Sequence, residues 1–416
     1  MHRSTARRTA TDYFLVAGLI GVSGFPFFMV SQVYFFVLFL IAAWIYLKRS
    51  LVFDKRFMII IGFFTSVELL QLLFLKSFDI ILLSGTCVRL FLGAFVLSLA
   101  ADRFTKYYTD IICFFAGLSF FFFLPSLVFP AFFHFCVSNI CPLFESPFGS
   151  QNGFYTVWPT AIIFCFHSCV LDEFRNPGPF WEPGLFAVFL NLALLFHLVR
   201  VKKFWNPRSI ILVVALLSTF STAGYIAFFV LLFSYYIVDQ SMLKKIVLSL
   251  FLLPALFTIY FSLDFLSAKV EQNITLAGST TSSRFGSGLV DLNDFMESPV
   301  IGWGRGAMRY GGRPFTFFTE DQHRNNSVTE ILATYGIFLF LFFFYTYFQS
   351  FKRVCLSHGM NSAFAYYALV VMLILGFSQS IFLRPFFYGL LFLRYTYTPG
   401  LTLAEVTERN SLTEPA

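Results

Sequence analysis

Long apolar runs dominate this sequence and leave few folds open to it. A bilayer core about 30 Å thick is crossed by roughly 20 apolar residues in a helix, and such runs recur along most of the 416 residues. Hydrophobic residues make up 58% of the chain and charged residues only 12%, whereas soluble domains carry roughly 25% charged residues. The sequence therefore predicts an all-α integral membrane protein that crosses the bilayer many times.

We predict about twelve crossings. The first two runs are joined at a glycine and proline break near Pro26, and no small-residue cleavage site marks the first run as a signal peptide. The predicted crossings are 13–28, 30–47, 57–75, 80–100, 111–133, 184–199, 209–220, 223–238, 246–263, 328–349, 362–382 and 385–398.

Basic residues between the runs predict the orientation of the chain. Lysine and arginine collect on the cytoplasmic side of short loops. With a cytoplasmic N-terminus, twelve crossings place the basic clusters at 200–208, 244–245 and 352–353 all in the cytoplasm. Because the net charge of +7 is divided among such short clusters, it indicates membrane orientation and leaves no basic domain for nucleic acid.

The same argument divides the chain into one polytopic membrane domain, 1–416, with two large external loops. A thirteenth crossing at 155–171 would invert every later loop, so we predict that 134–183 is one external loop. The second external loop is 264–327. The tail 402–416 is polar and is predicted to be cytoplasmic.

Four of the seven cysteines fall in the first external loop: Cys136, Cys141, Cys165 and Cys169. An oxidising compartment would permit disulfides among them, with three possible pairings. Small buried thiols are an equally good interpretation. Their spacing lacks the paired CxxC arrangement typical of zinc sites.

The first loop ends in RNPGPFWEPG, residues 175–184, directly before an apolar run. Its prolines fix the backbone and its glycines permit tight turns, so the segment is predicted to be a rigid platform that orients Arg175 and Glu182. The alternative is a proline-rich helix entry with Trp181 as an interfacial anchor.

The second loop, 264–327, carries most of the polar residues between crossings. Arg284 precedes an amphipathic stretch whose apolar spacing suits a helix lying on the membrane or on the bundle. Arg305, Arg309 and Arg313 are expected to contact lipid or solvent. His323 lies near the end of the loop.

Two ionisable residues, Glu68 and Arg89, lie in the middle of neighbouring apolar runs. A charge at membrane depth costs about 2.5–3.5 kcal/mol and normally finds a partner. We expect the two to pair, with phosphate binding by Arg89 as the alternative.

Five segments resemble one known family in the right order. They are RNPGPFWEPGLFAVFLNLAL (175–194), LLSTFSTAGYIAF from 216, FMESPVIGWGRG (295–306), NNSVTEILATYGIF (325–338) and GFSQSIFLRPFFYGLLFL from 376. Together they are similar to the conserved half of the O-antigen polymerase (Wzy-type) and O-antigen ligase family. The match covers about 175–393, and the first half of the chain agrees only in hydropathy.

The resemblance implies a glycosyltransferase type C-like fold in the bacterial inner membrane, with both termini cytoplasmic. The implied activity is polymerisation of undecaprenyl-pyrophosphate-linked oligosaccharide repeat units into O-antigen or capsular polysaccharide on the outer face. A ligase that passes the chain to lipid A-core is the alternative within the class, and a lipid-linked oligosaccharide transporter is the alternative outside it. The expected partners are the lipid-linked oligosaccharide, membrane lipids and a chain-length regulator protein, without metal or cofactor.

The reaction has a pyrophosphate leaving group, which needs cations where charge develops, and an attacking sugar hydroxyl, which benefits from a general base. Arginine binds phosphate oxygens bidentately. By the resemblance, substrate is bound by Arg175, Glu182, Arg284, Arg89 and Arg384. His323 is the candidate base, although it lies two residues before the family's position, and Glu330 is the reserve.

Overall fold

The computed structural model describes residues 2–49, 51, 55–75, 80–147, 158–166, 175–241, 243–244, 284–305 and 325–397, which are almost entirely helical. The helices of more than ten residues are α1 (His2–Gly24), α3 (Gln32–Lys48), α4 (Lys55–Leu75), α5 (Ile80–Ala100), α6 (Phe104–Val128), α8 (Pro183–Val201), α9 (Pro207–Ser218), α10 (Thr222–Ile237), α11 (Arg284–Glu297), α12 (Ser327–Ser357) and α13 (Phe364–Ser378). The shorter ones are α2 (Pro26–Met29), α7 (Pro130–Phe135), α14 (Pro385–Leu390) and α15 (Leu393–Thr396).

Four helical stretches of the described chain are long and apolar enough to cross a membrane: Lys55–Phe74, Ile80–Val128, Pro183–Val201 and Ser327–Ser357. The second consists of α5 and α6, which a short 3-10 turn separates at Ala101, where φ is +48°. Five further apolar helices are shorter. These helices are consistent with the predicted all-α membrane protein.

The predicted count of twelve crossings is larger than the number of membrane-length helices in the described residues. The run 246–263 lies outside the described residues. The last run, 385–398, contains two short helices, α14 and α15, which together have ten residues and span about 15 Å at 1.5 Å per residue. That length is half of a bilayer core.

The basic loops predicted to share one side lie at one end of the bundle, which we call the basic end. Tyr13 on α1 donates a hydrogen bond to Asp110 on α6 (2.7 Å). Around this link, basic side chains join the helix ends through Arg49 with Asp12 (2.7 Å), Arg208 with Asp110 (3.0 Å), Lys202 with the Gly359 carbonyl (2.7 Å) and Arg353 with the Tyr397 carbonyl (2.7 Å). Arg49, Lys202, Arg208 and Arg353 therefore lie at the same end of the bundle, as the charge pattern predicts.

Helix α8 is the centre of the bundle, because its side chains are buried along almost its whole length. A column of aromatic rings passes beside it, from Phe180 through Phe189 and Phe386 to Tyr108. Neighbouring ring centroids in this column are 4.4, 5.2 and 5.0 Å apart. By contrast, apolar side chains such as Leu40 on α3 are exposed on the outer helices, as lipid contact requires.

The described part of the predicted first external loop forms a small cap beside α6. Residues 158–166 make a tight hairpin with one bridge between Thr160 and Cys165, and not a helix. Phe164 and Phe166 pack with Phe133 near the buried Cys136 and Cys141. Both of these last two cysteines are free thiols, whereas Cys169 lies outside the described residues.

Candidate functional site

A break in α12 organises the end of the bundle opposite the basic end. Gly336 has φ +75° and ψ 179°, outside the helical region, so the helix consists of a short first segment and a long second one. Only glycine adopts this backbone conformation readily. A Cβ atom at Gly336 would lie 2.2 Å from the carbonyl oxygen of Val300. The break therefore makes room for the loop 298–305, which we call the glycine loop.

Hydrogen bonds hold the glycine loop in the break. Trp303 donates its backbone N–H to the Ala333 carbonyl (3.0 Å), and Ile337 donates to the Pro299 carbonyl (2.9 Å). The side-chain amide of Gln71, on α4, donates to the carbonyls of Ile301 (2.5 Å) and Thr334 (2.7 Å). A helix break at membrane depth leaves backbone groups that need such partners. The ESPxxGxG pattern thus places the glycine loop in the helix break, and this fixes the position of Arg305.

The NNSVTE segment, 325–330, ties three elements together. The side-chain oxygen of Asn326 caps α12 by accepting hydrogen bonds from the backbone N–H groups of Val328 (3.1 Å) and Thr329 (3.3 Å). Ser327 donates to the Gln379 carbonyl (2.5 Å) and accepts from the N–H groups of Ile381 and Phe382. These contacts hold the chain that leads to Arg384.

Helix α11 is joined to the same segment through its polar face. Thr329 donates to the buried carboxylate of Asp291 (2.6 Å). On the opposite face, Leu289, Leu292 and Met296 are exposed. The amphipathic stretch predicted to lie on the membrane or on the bundle therefore turns its polar side to the bundle and its apolar side outward.

The platform 175–184 is fixed by the buried Asn176. Its amide donates to the hydroxyls of Ser119 on α6 (2.8 Å) and Ser218 on α9 (3.0 Å), and its oxygen accepts from the Gly178 backbone N–H (3.0 Å). Arg175 donates through Nε to the Thr219 carbonyl (3.0 Å). The platform is therefore joined to α6 and α9 and holds Arg175 beside the end of α9.

Arg175 and Arg284 form what we call the loop arginine pair. Arg284 donates to the Asn325 carbonyl (3.2 Å) from the first turn of α11. Burial lowers the pKa of the Arg284 guanidinium, while the neighbouring Glu182 carboxylate opposes this shift and Arg175 adds to it. Glu182 is the residue before α8. Three of the predicted substrate-binding residues thus lie together, from segments more than 100 residues apart.

Arg89, Arg305 and Arg384 form a second group, which we call the helix arginine cluster. Arg89 is an electrostatic neighbour of both Arg305 and Arg384. Its guanidinium lies over the Phe35 ring, 5.7 Å from the centroid, and that of Arg384 lies over the Trp181 ring at 4.8 Å. Arg305 donates to the Thr86 hydroxyl (2.9 Å). The cluster extends from the platform into the helices.

Two carboxylates border the helix arginine cluster. Glu68 accepts from the hydroxyl of Tyr335 (3.0 Å), and both Arg305 and Arg89 are close enough to stabilise its charge. The Thr86 hydroxyl lies within hydrogen-bonding reach of both the Glu68 carboxylate and the Leu82 carbonyl (3.2 Å from the latter), so it can donate to either. The expected partnership of Glu68 with Arg89 is thus electrostatic, without a direct hydrogen bond.

Glu330, the reserve base, lies in the first turn of α12 and accepts from the Ser380 hydroxyl (2.7 Å). It is also an electrostatic neighbour of Arg305. His323, the preferred candidate base, lies outside the described residues, as do Arg309 and Arg313. In the described part of the chain, no three His, Cys, Asp or Glu side chains are grouped so as to hold a metal ion.

The expectation that Arg305 contacts lipid or solvent does not fit its position. It lies inside the bundle because the glycine loop docks in the helix break and directs it towards α5. The sequence reasoning also missed Gln71, Thr86 and Tyr335. One signal was available for Gln71, since it lies three residues after Glu68 and shares its helix face.

No family model and no curated protein sequence matches this chain. The family resemblance therefore rests on the five motifs alone.

Proposed function

We propose that this protein is a glycosyltransferase that polymerises undecaprenyl-pyrophosphate-linked oligosaccharide repeat units on the outer face of a bacterial inner membrane. In this proposal the basic end faces the cytoplasm, and the site end faces outward. The chain crosses the membrane about twelve times, and the product is an O-antigen or capsular polysaccharide.

The observation that carries the proposal is the convergence of five arginines and three glutamates on one end of an apolar bundle. Arg175, Arg284 and Glu182 meet there, and the helix arginine cluster continues from Arg384 beside the platform. A pyrophosphate leaving group gains most from fixed cations in a site of low dielectric constant. Arginine keeps its charge when it is half-buried, which suits it to this role better than lysine.

In the proposed reaction, the bond between the donor sugar's anomeric carbon and the pyrophosphate oxygen breaks. The hydroxyl oxygen of the acceptor sugar bonds to that carbon, and its proton passes to His323 or Glu330. Polyprenyl pyrophosphate leaves with the electron pair, and the loop arginine pair stabilises the developing charge. The platform and the NNSVTE segment keep these side chains in position through buried hydrogen bonds.

A transporter would need a polar path between the two ends of the bundle. Between the ends, the described interior instead holds the aromatic column from Phe180 to Tyr108. This packing favours chemistry at one membrane face over passage through the protein.

The test is to delete the gene in its native strain and to resolve the surface polysaccharide by length on a gel. The deletion strain is then complemented with wild type, Arg175→Ala, Arg284→Ala and the control Lys203→Ala, which changes an exposed charge at the basic end. We expect single repeat units on the lipid core after deletion, restored length with wild type and Lys203→Ala, and no restoration with the two arginine variants.

Two other results would contradict the polymerase proposal. Naked core, with polymer still on its lipid carrier, would indicate a ligase. A polysaccharide ladder that is unchanged after deletion would contradict the proposed function. It would also mean that the family resemblance does not indicate what this protein does.

A further inference from the structure

Helix α11 carries a row of exposed apolar side chains, which we call the α11 stripe. It consists of Phe285, Leu289, Leu292 and Met296, whose spacing of four, three and four residues places them on one face of a helix. Met296 is 74% exposed and Leu289 is 54% exposed. A continuous row of large apolar side chains on a protein surface marks a contact with a partner or a membrane.

The opposite face of α11 is bonded to the bundle, so the stripe is held facing outward. Asp291 and Asp294 are buried on that face. The Asp291 carboxylate accepts a hydrogen bond from the Thr329 hydroxyl (2.6 Å), and the Asp294 carbonyl accepts one from the Trp303 indole (2.8 Å). Rotation of α11 that buried the stripe would break both bonds and expose the polar face.

One end of the α11 stripe joins the outer face of α13. The ring of Phe285 packs against that of Phe377 on α13, with centroids 5.0 Å apart. Tyr366 and Val370 are exposed on the same helix, eleven and seven residues before Phe377, a spacing that places all three on one face. Because α13 is apolar and contains no charged residue, this face is suited to contact with lipid.

The other end of the stripe joins the outer face of α12. The glycine loop follows α11 and docks in the break at Gly336, where Val300 is exposed. Phe338, two residues beyond the break, is exposed, and so is Leu341 three residues further along. This segment of α12 belongs to a stretch that is long and apolar enough to cross a membrane. Exposed apolar surface is therefore continuous from α13 over α11 to α12.

We propose that α11 is an interfacial helix and that its apolar stripe is immersed in the lipid leaflet at the site end of the bundle. The continuity with the outer faces of α12 and α13 identifies the partner of the stripe as the acyl region of the bilayer. Helices of this kind lie with the apolar face about 5–10 Å into the boundary between headgroups and acyl chains. Arg284 directly precedes the stripe, so its position is at the level of the headgroups. The membrane position of α11 does not depend on which reaction the protein catalyses.

The experiment places the photoreactive amino acid p-benzoylphenylalanine (Bpa) on α11 of the full-length protein, in nanodiscs that contain phosphatidylglycerol as the only lipid. The stripe variants are Leu289→Bpa and Met296→Bpa. The matched control is Glu297→Bpa, since Glu297 is exposed and lies about 100° round the helix from Met296. Leu341→Bpa on α12 shows the yield at a lipid-facing position.

After illumination, mass spectrometry of the intact protein measures the fraction that carries one added lipid. We expect yields at positions 289 and 296 within about twofold of the yield at 341, and a yield at least fivefold lower at 297. The unfolding temperature of each variant shows whether it is folded, and Leu292→Bpa replaces a stripe variant that is not.

Three results would overturn the inference. A doubled mass at 289 and 296 would mean that a second copy of the chain covers the stripe. An unchanged mass at both positions, with lipid attached at 341, would mean that the stripe faces water or another part of the same chain. Equal lipid attachment at 296 and 297 would mean that α11 has no lipid-facing side.

Discussion

Replacing Gly336 with alanine tests whether the break in α12 positions the site. Gly336 has φ +75° and ψ 179°, and a Cβ atom there would lie 2.2 Å from the Val300 carbonyl oxygen. The obstacle is backbone, so no side-chain rotation relieves it. Gly336→Ala must therefore either strain the helix break or expel the glycine loop, 298–305.

The expected destabilisation can be worked out from these contacts. A non-glycine residue in this backbone region costs about 1–3 kcal/mol. Displacing the glycine loop loses the bonds of Trp303 and Ile337 across the break and the bond from Gln71 to the Ile301 carbonyl, which are worth together about 3 kcal/mol at about 1 kcal/mol each. Either outcome therefore costs about 1–3 kcal/mol, a substantial fraction of the 5–15 kcal/mol that stabilises a typical domain.

The assay is the half-denaturation temperature of purified protein in one detergent at one heating rate, because unfolding of such proteins is often irreversible. The matched control is Gly62→Ala on α4, where a Cβ atom would meet nothing within 4 Å and alanine should stabilise the helix by up to about 1 kcal/mol. Gly336→Ala should unfold far below wild type, and Gly62→Ala at or above it. Equal temperatures for the two variants would refute the proposed role of the break.

Three further changes test the segments that hold the site. Ser327→Ala removes a hydroxyl that makes three buried hydrogen bonds, one of them to the Gln379 carbonyl, and should destabilise the protein by about 3 kcal/mol or more; an unfolding temperature equal to that of wild type would contradict this. Thr329→Val removes the donor to the buried Asp291 carboxylate and should cost about 1.5–3 kcal/mol, with Thr329→Ser recovering most of it in the same measurement. Burial, with a smaller contribution from Cys136, raises the pKa of the Cys141 thiol from 9.0 to about 12, so its thiolate fraction at neutral pH is about a thousandfold lower. Maleimide should therefore label Cys141 slowly in the native protein and fully after denaturation without reductant, and absence of labelling after denaturation would indicate a disulfide.

The fold class follows from the sequence because each crossing is a local property. A run of apolar residues of membrane length has few alternatives to a helix, and the basic clusters predict how the helices alternate. The common position of Arg49, Arg208 and Arg353 at one end agrees with that prediction. The number of crossings is harder to predict from local sequence, because short helices such as α14 and α15 are apolar but too short to cross a bilayer.

The site was predictable only in part, for a physical reason. Arg175, Glu182 and Arg284 were chosen by the family resemblance, and the structure places them together. The role of Arg305 depends on contacts across the chain, since the Gln71 amide that fixes its loop bonds a carbonyl 230 residues away. No local pattern indicates that the backbone of α12 opens at Gly336 to receive that loop.

The most direct test of the central claim is a reaction with purified protein in lipid nanodiscs and undecaprenyl-pyrophosphate-linked repeat units as the only substrate. The measurement is the length of the lipid-linked product together with the undecaprenyl pyrophosphate released. We predict a ladder of products with one carrier released for each bond formed, lost in Arg284→Ala and kept in Lys203→Ala. A wild-type protein that is folded and yields no dimer, or that transfers glycan only when lipid A-core is added, would contradict the account.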